Sequence, residues 1–143
     1  MPVPNRIERT LDLKHSRDKV WAALTTAEGL GGWFGSSARI DLQVGGEAHV
    51  EWEEGYQATL WIQTVEPLEK FAYTWAIEGL PKEDPRRTHV EFTLESTDFG
   101  TRLIVVETGF SQLPDELLSA YKGNTQGWRD ELTELVEYLD ALA

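Results

Sequence analysis

The longest amphipathic pattern in the chain lies near its C-terminus, between Gly123 and Leu142. Large apolar side chains recur there at spacings of three and four residues, which is the period of one helical face. They are Trp128, Leu132, Leu135, Val136, Leu139 and Leu142. Charged residues such as Arg129, Glu134 and Asp140 occupy the other face. The pattern predicts a long helix that buries one stripe of side chains.

Most of the chain before this helix alternates between apolar and polar residues, as half-buried strands do. The alternating segments span residues 7–14, 39–44, 47–53, 56–65, 71–77, 89–95 and 101–110. Gly45-Gly46, Glu54-Gly55 and Phe99-Gly100 are turn signals, and Pro67 ends the fourth strand. Residues 79–87 are expected to form a loop, and Asp115 to cap a turn that leads to the final helix.

Two short helical patterns interrupt the strands between Ser16 and Phe34. Ser16 and Thr26 are the expected N-caps. Four glycines within seven residues, from Gly29 to Gly35, surround Trp33 and Phe34 and lower the helix propensity of the second segment. We therefore expect Trp33 and Phe34 to lie on a mobile flap over one end of the sheet, where they gate a pocket.

This order of elements is typical of an α+β fold. One strand is followed by two small helices, six antiparallel strands joined by short turns, and one long helix. A long antiparallel sheet twists and curls, and its concave face must be covered. The C-terminal helix is the element long enough to cover it. We expect residues 1–143 to form a single domain of this kind.

Composition and charge narrow the classes of partner. The formal net charge of -12 argues against nucleic acid and against anionic membrane surfaces, because both require basic patches. The chain has no Cys, which excludes disulfides and thiolate metal sites. The first six residues lack the apolar core of a signal peptide, and no apolar run approaches membrane-spanning length. A cytoplasmic location is expected.

Short motifs along the chain resemble one known family. They are Val20-Trp21 with Leu24, Trp33-Phe34, Gly45-Gly46, Val65-Glu66-Pro67, Thr74-Trp75, Gly100-Thr101 with Leu103, and Gly127-Trp128 followed by Leu132, Leu135 and Leu139. Their order resembles that of the family named for the C-terminal domain of the activator of heat-shock protein 90 ATPase. That family belongs to the START-like (SRPBCC), helix-grip superfamily.

The resemblance implies a curved sheet of six to seven strands that grips the C-terminal helix, with an apolar cavity between them. It implies no particular substrate, because single-domain relatives differ in function. Two positions depart from the family pattern. Many relatives carry a His where this chain has Asn124, and another where it has Glu107. Roles that depend on those histidines cannot be transferred.

Polar clusters elsewhere indicate neither catalysis nor metal binding. His15, His49 and His89 fall on separate elements without metal-ligand spacing. Glu47, Glu51 and Glu53 alternate with apolar residues, which is typical of a solvated strand face. The chain also lacks a Gly-x-Ser-x-Gly motif for a nucleophilic serine. We therefore predict no catalytic residue, no metal and no cofactor.

Aromatic residues are the strongest indication of a binding site. Trp52, Tyr73, Trp75 and Phe92 fall on inward strand positions, and Trp128 falls on the inward face of the helix. Buried Trp and Tyr need partners for their polar atoms, which favours an amphipathic pocket. Two helix glycines, Gly123 and Gly127, suggest cavity room or a close backbone approach beside it. Plain core packing remains the alternative.

Glu107 shares its strand face with Leu103 and Val105, which points it towards the helix. A buried carboxylate must be paired or protonated, and indole N–H groups of Trp75 or Trp128 are possible donors. The alternative is that the strand ends at this point and Glu107 already reaches water.

These observations predict a protein that binds a small hydrophobic or amphipathic molecule. The predicted ligand-binding residues are Trp33, Phe34, Trp52, Tyr73, Trp75, Phe92, Glu107 and Trp128. One alternative is an enzyme of the polyketide-cyclase kind, with Glu107 as its acid or base. Another is a chaperone cofactor of the stress response. The sequence leaves the protein a monomer or a homodimer.

Overall fold

The computed structural model describes residues 6–53, 55, 57–76, 83–110 and 118–142, with side chains in the last range described from residue 126. Within these ranges, seven strands and three helices follow the predicted order. The strands are β1 (Arg6–Leu13), β2 (Ser37–Ile40), β3 (Glu47–Glu51), β4 (Gln57–Glu66), β5 (Lys70–Ala76), β6 (Arg87–Thr97) and β7 (Gly100–Thr108). The helices are α1 (Arg17–Thr25), α2 (Ala27–Trp33) and α3 (Leu118–Leu142).

All seven strands form one antiparallel sheet in the order β1-β7-β6-β5-β4-β3-β2. Strands β2 to β7 follow one another as a meander, and β1 pairs with the far edge of β7. Side chains on the inner face, such as Val50, Leu60 and Phe92, join one hydrophobic core with the helices. The α+β fold predicted from the alternation is confirmed.

Turn chemistry fixes the strand connections as expected. The β2–β3 turn contains Gly45 at a φ of 86°, a conformation that favours glycine.

The ends of two strands differ from the prediction. Strand β3 ends at Glu51, so Trp52 directly follows the strand. Arg87, predicted in a loop, is instead the first residue of β6 and pairs with Ala76. Residues 77–82 of that loop and Asp115 lie outside the described residues.

Helices α1 and α2 cover one end of the sheet. The Thr26 side chain accepts a hydrogen bond from the Gly29 N–H at 2.9 Å and caps α2 as predicted. Ser16 has the extended N-cap conformation, but its side chain makes no capping hydrogen bond. A Cβ at Gly29 would overlap the α1 backbone at Ala22 and Ala23. Close packing of α2 on α1 therefore gives this glycine a physical role besides low helix propensity.

Helix α3 begins at Leu118, five residues before the predicted start. Trp128, Leu132, Leu135 and Leu139 are buried as the pattern indicated, and Val136 is partly buried. Leu142 is 55% exposed, so its assignment to the buried stripe was wrong, because the last turn of α3 carries it into solvent. Near that end, Asp140 of α3 accepts a hydrogen bond from His15 Nε2 at 2.8 Å.

Candidate functional site

Glu107 lies at the centre of the candidate site and is fully buried. Trp128 Nε1 donates a hydrogen bond to one carboxylate oxygen at 2.8 Å. Trp75 Nε1 donates to the other oxygen at 2.7 Å, and the Thr88 hydroxyl donates to that same oxygen. The alternative that Glu107 reaches water was therefore wrong. The strand does end nearby, but β1 flanks β7 on one side and α3 covers its inner face.

Strand register brings this polar centre together. Glu107 lies between Ile7 of β1 and Val90 of β6. Thr88 comes two residues before Val90 on the same face, and it pairs across the sheet with Trp75 of β5. Three elements of distant sequence position, β5, β6 and β7, thus place their polar groups at one end of the sheet.

An aromatic cluster covers the centre. The Phe34 ring stacks on Trp75 and on Trp128 with ring centroids 5.9 Å and 6.0 Å apart, both at 20° between planes. Trp52 meets the Phe34 ring at 5.3 Å in an edge contact. Phe34 directly follows the last residue of α2 and is buried. It therefore fills the space between the sheet and α3 at this point.

The remaining predicted aromatics extend the cluster. Tyr73 meets Trp75 at 5.4 Å, and Phe92 meets Trp128 at 5.8 Å, both in edge contacts. Trp33 contacts the Phe34 ring at 5.1 Å, but its indole N–H donates to the Ala23 carbonyl at 2.7 Å. The fold thus connects all eight predicted residues, although the polar atom of Trp33 serves α1 and not the site.

The interior beside this cluster is closely packed. Apolar gaps there are lined by Leu24, Leu30, Trp33, Phe34, Leu60, Phe71, Tyr73 and Phe92. The gaps among these eight side chains are too narrow for a water molecule. A molecule that bound at this place would have to displace side chains.

Two buried polar atoms near the centre have no hydrogen-bond partner within the described part of the chain. They are the hydroxyl oxygen of Tyr73, on the sheet, and Oε2 of Glu131, on α3. Desolvation raises the pKa of the Tyr73 hydroxyl well above its usual range, and the charges of Glu107 and Glu131 act in the same direction.

Glu131 is partly buried, and its pKa is raised to about 8. Desolvation is the main cause and the neighbouring Glu134 the next, while an interaction with Trp52 opposes them. The Glu131 carboxyl is therefore mostly protonated at neutral pH and is a hydrogen-bond donor.

Sequence reasoning missed Thr88 and Glu131. Thr88 could have been found, because it precedes Val90 and Phe92 on the same alternating face. Glu131 sits between the buried Trp128 and Leu132, at the edge of the apolar stripe, where a charged residue is usually solvated. Only the three-dimensional packing under α3 shows that its carboxyl is shielded.

The other polar candidates are separate from the site. Glu47, Glu51 and Glu53 are exposed, as expected for a solvated face. His49 is near Thr59 on the outer face, and His89 pairs across the sheet with Thr108. Among the described residues, no three His, Asp or Glu side chains converge as metal ligands do.

The class of protein follows from this arrangement: a helix-grip α+β fold, with a curved antiparallel sheet, two short helices after the first strand and a C-terminal helix over the sheet. Residues 14–140 match the model of the family described as Activator of Hsp90 ATPase homolog 1-like protein. The chain belongs to this family. No curated protein matches it significantly.

Solved structures share the fold over nearly the whole chain. Protein MLL2253 from Mesorhizobium loti superposes with a TM-score of 0.82 at 26% identity, covering 96% of this chain and 98% of that one. The Aha1 dimer from Colwellia psychrerythraea gives a TM-score of 0.75 at 21% identity, over 94% and 95% of the two chains.

DynU16, a protein of the dynemicin biosynthetic locus, gives a TM-score of 0.79 at 21% identity. The match includes 96% of this chain and 48% of the DynU16 chain.

Within the described residues, no helix combines the length and the apolar character that crossing a membrane requires.

Proposed function

We propose that this protein binds a small hydrophobic or amphipathic molecule between the inner face of the sheet and α3. The observation that carries the proposal is the buried Glu107 carboxylate, which accepts indole N–H bonds inside an aromatic cluster. A buried charge of this kind adds little net stability, because its desolvation offsets its hydrogen bonds. Replacement of such a charge together with its hydrogen-bond partners by apolar side chains of similar volume is often neutral or stabilising. We infer that the polar centre serves recognition.

Entry of a ligand requires space that the packed side chains occupy. Phe34 is the side chain that we expect to move, because it follows the short helix α2 and its ring lies against Trp52, Trp75 and Trp128. Displacement of the Phe34 ring would open space next to the polar centre for part of a ligand.

The neutral dye N-phenyl-1-naphthylamine, which brightens in apolar sites, tests the proposal. We expect saturable brightening with the wild-type protein. Phe34→Leu should bind the dye more tightly, because the smaller side chain leaves room for it, and Trp75→Ala should bind it more weakly. Trp61 lies on the outer face beneath the Arg87 guanidinium, so Trp61→Phe is the matched control. Binding no stronger than that of an unrelated globular protein would contradict the proposal.

Family membership favours a second candidate function, that of a chaperone cofactor. Native mass spectrometry of the protein purified from its own host separates the two. A retained small molecule supports ligand binding, and a co-purifying chaperone supports the second candidate. The polyketide-cyclase alternative is less favoured, because Glu107 is fully buried and its carboxylate is held by hydrogen bonds from Trp75, Thr88 and Trp128.

A further inference from the structure

The ligand's polar group can be inferred from the two partnerless atoms under α3, if the proposed function holds. We propose that the Tyr73 hydroxyl and the Glu131 carboxyl bind a carbonyl oxygen, so that the ligand is an apolar ketone or a related carbonyl compound. The inference rests on the proposed function and names the ligand class for the same site.

Both polar atoms are buried in the structure. Tyr73 is 1% exposed, and its hydroxyl has no partner among the described residues. Oε2 of Glu131 is shielded in the same way. Buried polar atoms in folded proteins nearly always have a hydrogen-bond partner, and an exception calls for an explanation. A bound ligand with a polar atom at this place supplies one.

The Tyr73 hydroxyl and the Glu131 carboxyl also lie near each other. The charge of Glu131 acts on the Tyr73 hydroxyl, together with that of Glu107. Tyr73 meets the Trp75 ring, and Trp75 binds Glu107, so the hydroxyl belongs to the same end of the sheet. Trp52, which contacts Phe34, also interacts with Glu131. Tyr73 also lines the same narrow apolar gaps as Phe34, so both groups lie beside direct neighbours of the Phe34 ring.

The chemistry of the donors selects the ligand. A phenol and a protonated carboxyl both donate hydrogen bonds at neutral pH. A carbonyl oxygen has two lone pairs and accepts from both donors without bringing a proton or a charge of its own. An anionic ligand is disfavoured, because Glu107 and Glu134 add negative charge around the site. The neutral carbonyl therefore fits both donors and the surrounding charge.

The preference for a carbonyl ligand should depend on pH, because the Glu131 carboxyl is one of the two donors. The titratable groups that face or neighbour Glu131 are Tyr73, Asp130 and Glu134, and Glu107 acts on Tyr73 from the sheet. Loss of the Glu131 proton near pH 8 turns one donor into an acceptor that repels the carbonyl oxygen. Glu131→Gln keeps an N–H donor that does not titrate. We expect this variant to retain the preference for a carbonyl and to lose its dependence on pH.

The test compares 2-acetonaphthone with 2-ethylnaphthalene, which differ chiefly in the carbonyl oxygen. Affinities are measured by displacement of N-phenyl-1-naphthylamine, and the carbonyl stretch of ¹³C-labelled ketone by difference infrared spectroscopy. We expect about tenfold tighter binding of the ketone and a shift of its stretch to lower frequency. Tyr73→Phe should reduce both the preference for the ketone and the shift of its stretch, because one of the two donors is lost. This variant removes only a buried, unpartnered hydroxyl, so it should fold as the wild type does.

Tyr138→Phe, which removes a hydroxyl from the α3 residue that lies against Gly32, is the matched control and should keep the preference. Equal binding of both probes with an unshifted carbonyl stretch would overturn the carbonyl inference and leave the proposed function standing. If neither probe binds, and the dye does not brighten, both the proposed function and this inference are overturned.

Discussion

Glu107 shows how one residue can link three strands and a helix. Its carboxylate joins β7 to β5 through Trp75, to β6 through Thr88 and to α3 through Trp128. Hydrogen bonds to a charged group each contribute about 1.5–3 kcal/mol, and a buried donor without a partner carries a penalty. The geometry of the site therefore depends on the charge of this side chain as well as on its shape.

Replacement of Glu107 by Gln should destabilise the protein by about 2–3 kcal/mol, because the amide NH₂ faces donors where an oxygen accepted before. Chemical denaturation at constant pH measures the change. The exposed Glu95→Gln on β6 is a suitable control and should change stability little. An unchanged unfolding free energy in Glu107→Gln would show that the three hydrogen bonds are not formed in solution.

Glu131 should make the stability of the protein depend on pH. Its pKa is about 8 in the folded protein against an ordinary value of 4.5. Between these values the folded state holds a proton that the unfolded chain has released, so stability falls as the pH rises through this window. Because Glu131 is only partly buried, we expect a loss on the order of 1–2 kcal/mol.

Thermal unfolding of the wild type and of Glu131→Gln between pH 5 and pH 9 checks this expectation. The variant should lose less stability than the wild type as the pH rises. Glu137→Gln, an exposed position on the same helix, should follow the wild-type profile. Parallel profiles for wild type and Glu131→Gln would mean that this carboxyl is solvated.

At the scale of elements, the glycines of α2 and α3 have different roles. A Cβ at Gly32 would overlap the Tyr138 ring of α3, so this glycine allows α2 and α3 to pack closely. A Cβ at Gly127 would meet no described atom within 4 Å. Of the two reasons expected for a glycine there, close backbone approach does not agree with the described atoms, and cavity room stays a prediction.

Alanine substitutions should therefore act in opposite directions. Gly32→Ala should destabilise the protein by about 1–3 kcal/mol through overpacking. Gly127→Ala should stabilise it by up to about 1 kcal/mol, because Ala is the better helix former and has space. Urea denaturation measures both changes, and destabilisation by Gly127→Ala would show that the space beside α3 is occupied.

The segment around Phe34 remains the expected gate. Trp33 and Phe34 are buried in the structure, and Trp33 is tied to α1 through the Ala23 carbonyl. A gate would open only transiently, so its amides should exchange faster than those of β6 and β7, and more slowly when N-phenyl-1-naphthylamine is bound. Hydrogen exchange measured by mass spectrometry checks this, and protection equal to that of the central strands in both states would exclude a gate.

At the scale of the molecule, alternation and turn signals were enough to predict an antiparallel sheet and the inward residues Tyr73 and Trp75. Period 2 decides the face of every strand residue, so these predictions depend only on local sequence. The burial of Glu107 could not be decided in this way. It depends on β1 pairing with the far edge of β7 and on α3 lying above, which are contacts between distant parts of the chain.

The local sequence also could not predict where α3 begins, or whether residues at the edge of its apolar stripe are buried. Helix α3 begins at Leu118, before the apolar stripe from which the helix was predicted. Leu142 fits the stripe by period and is nevertheless exposed, because period assigns a face but not whether anything covers it. Glu131 shows the opposite behaviour. It is an acidic residue beside the stripe, and neighbouring residues in space shield its Oε2 atom from solvent.

The central claim is that a small apolar molecule binds between the sheet and α3, at the aromatic cluster. The most direct measurement is a titration of ¹⁵N-labelled protein with N-phenyl-1-naphthylamine, following the indole N–H signals by NMR. We predict saturable shifts for Trp52, Trp75 and Trp128, with Trp61 on the outer face unchanged. Shifts confined to Trp61, or no saturable shift at the three inner indoles, would contradict the account.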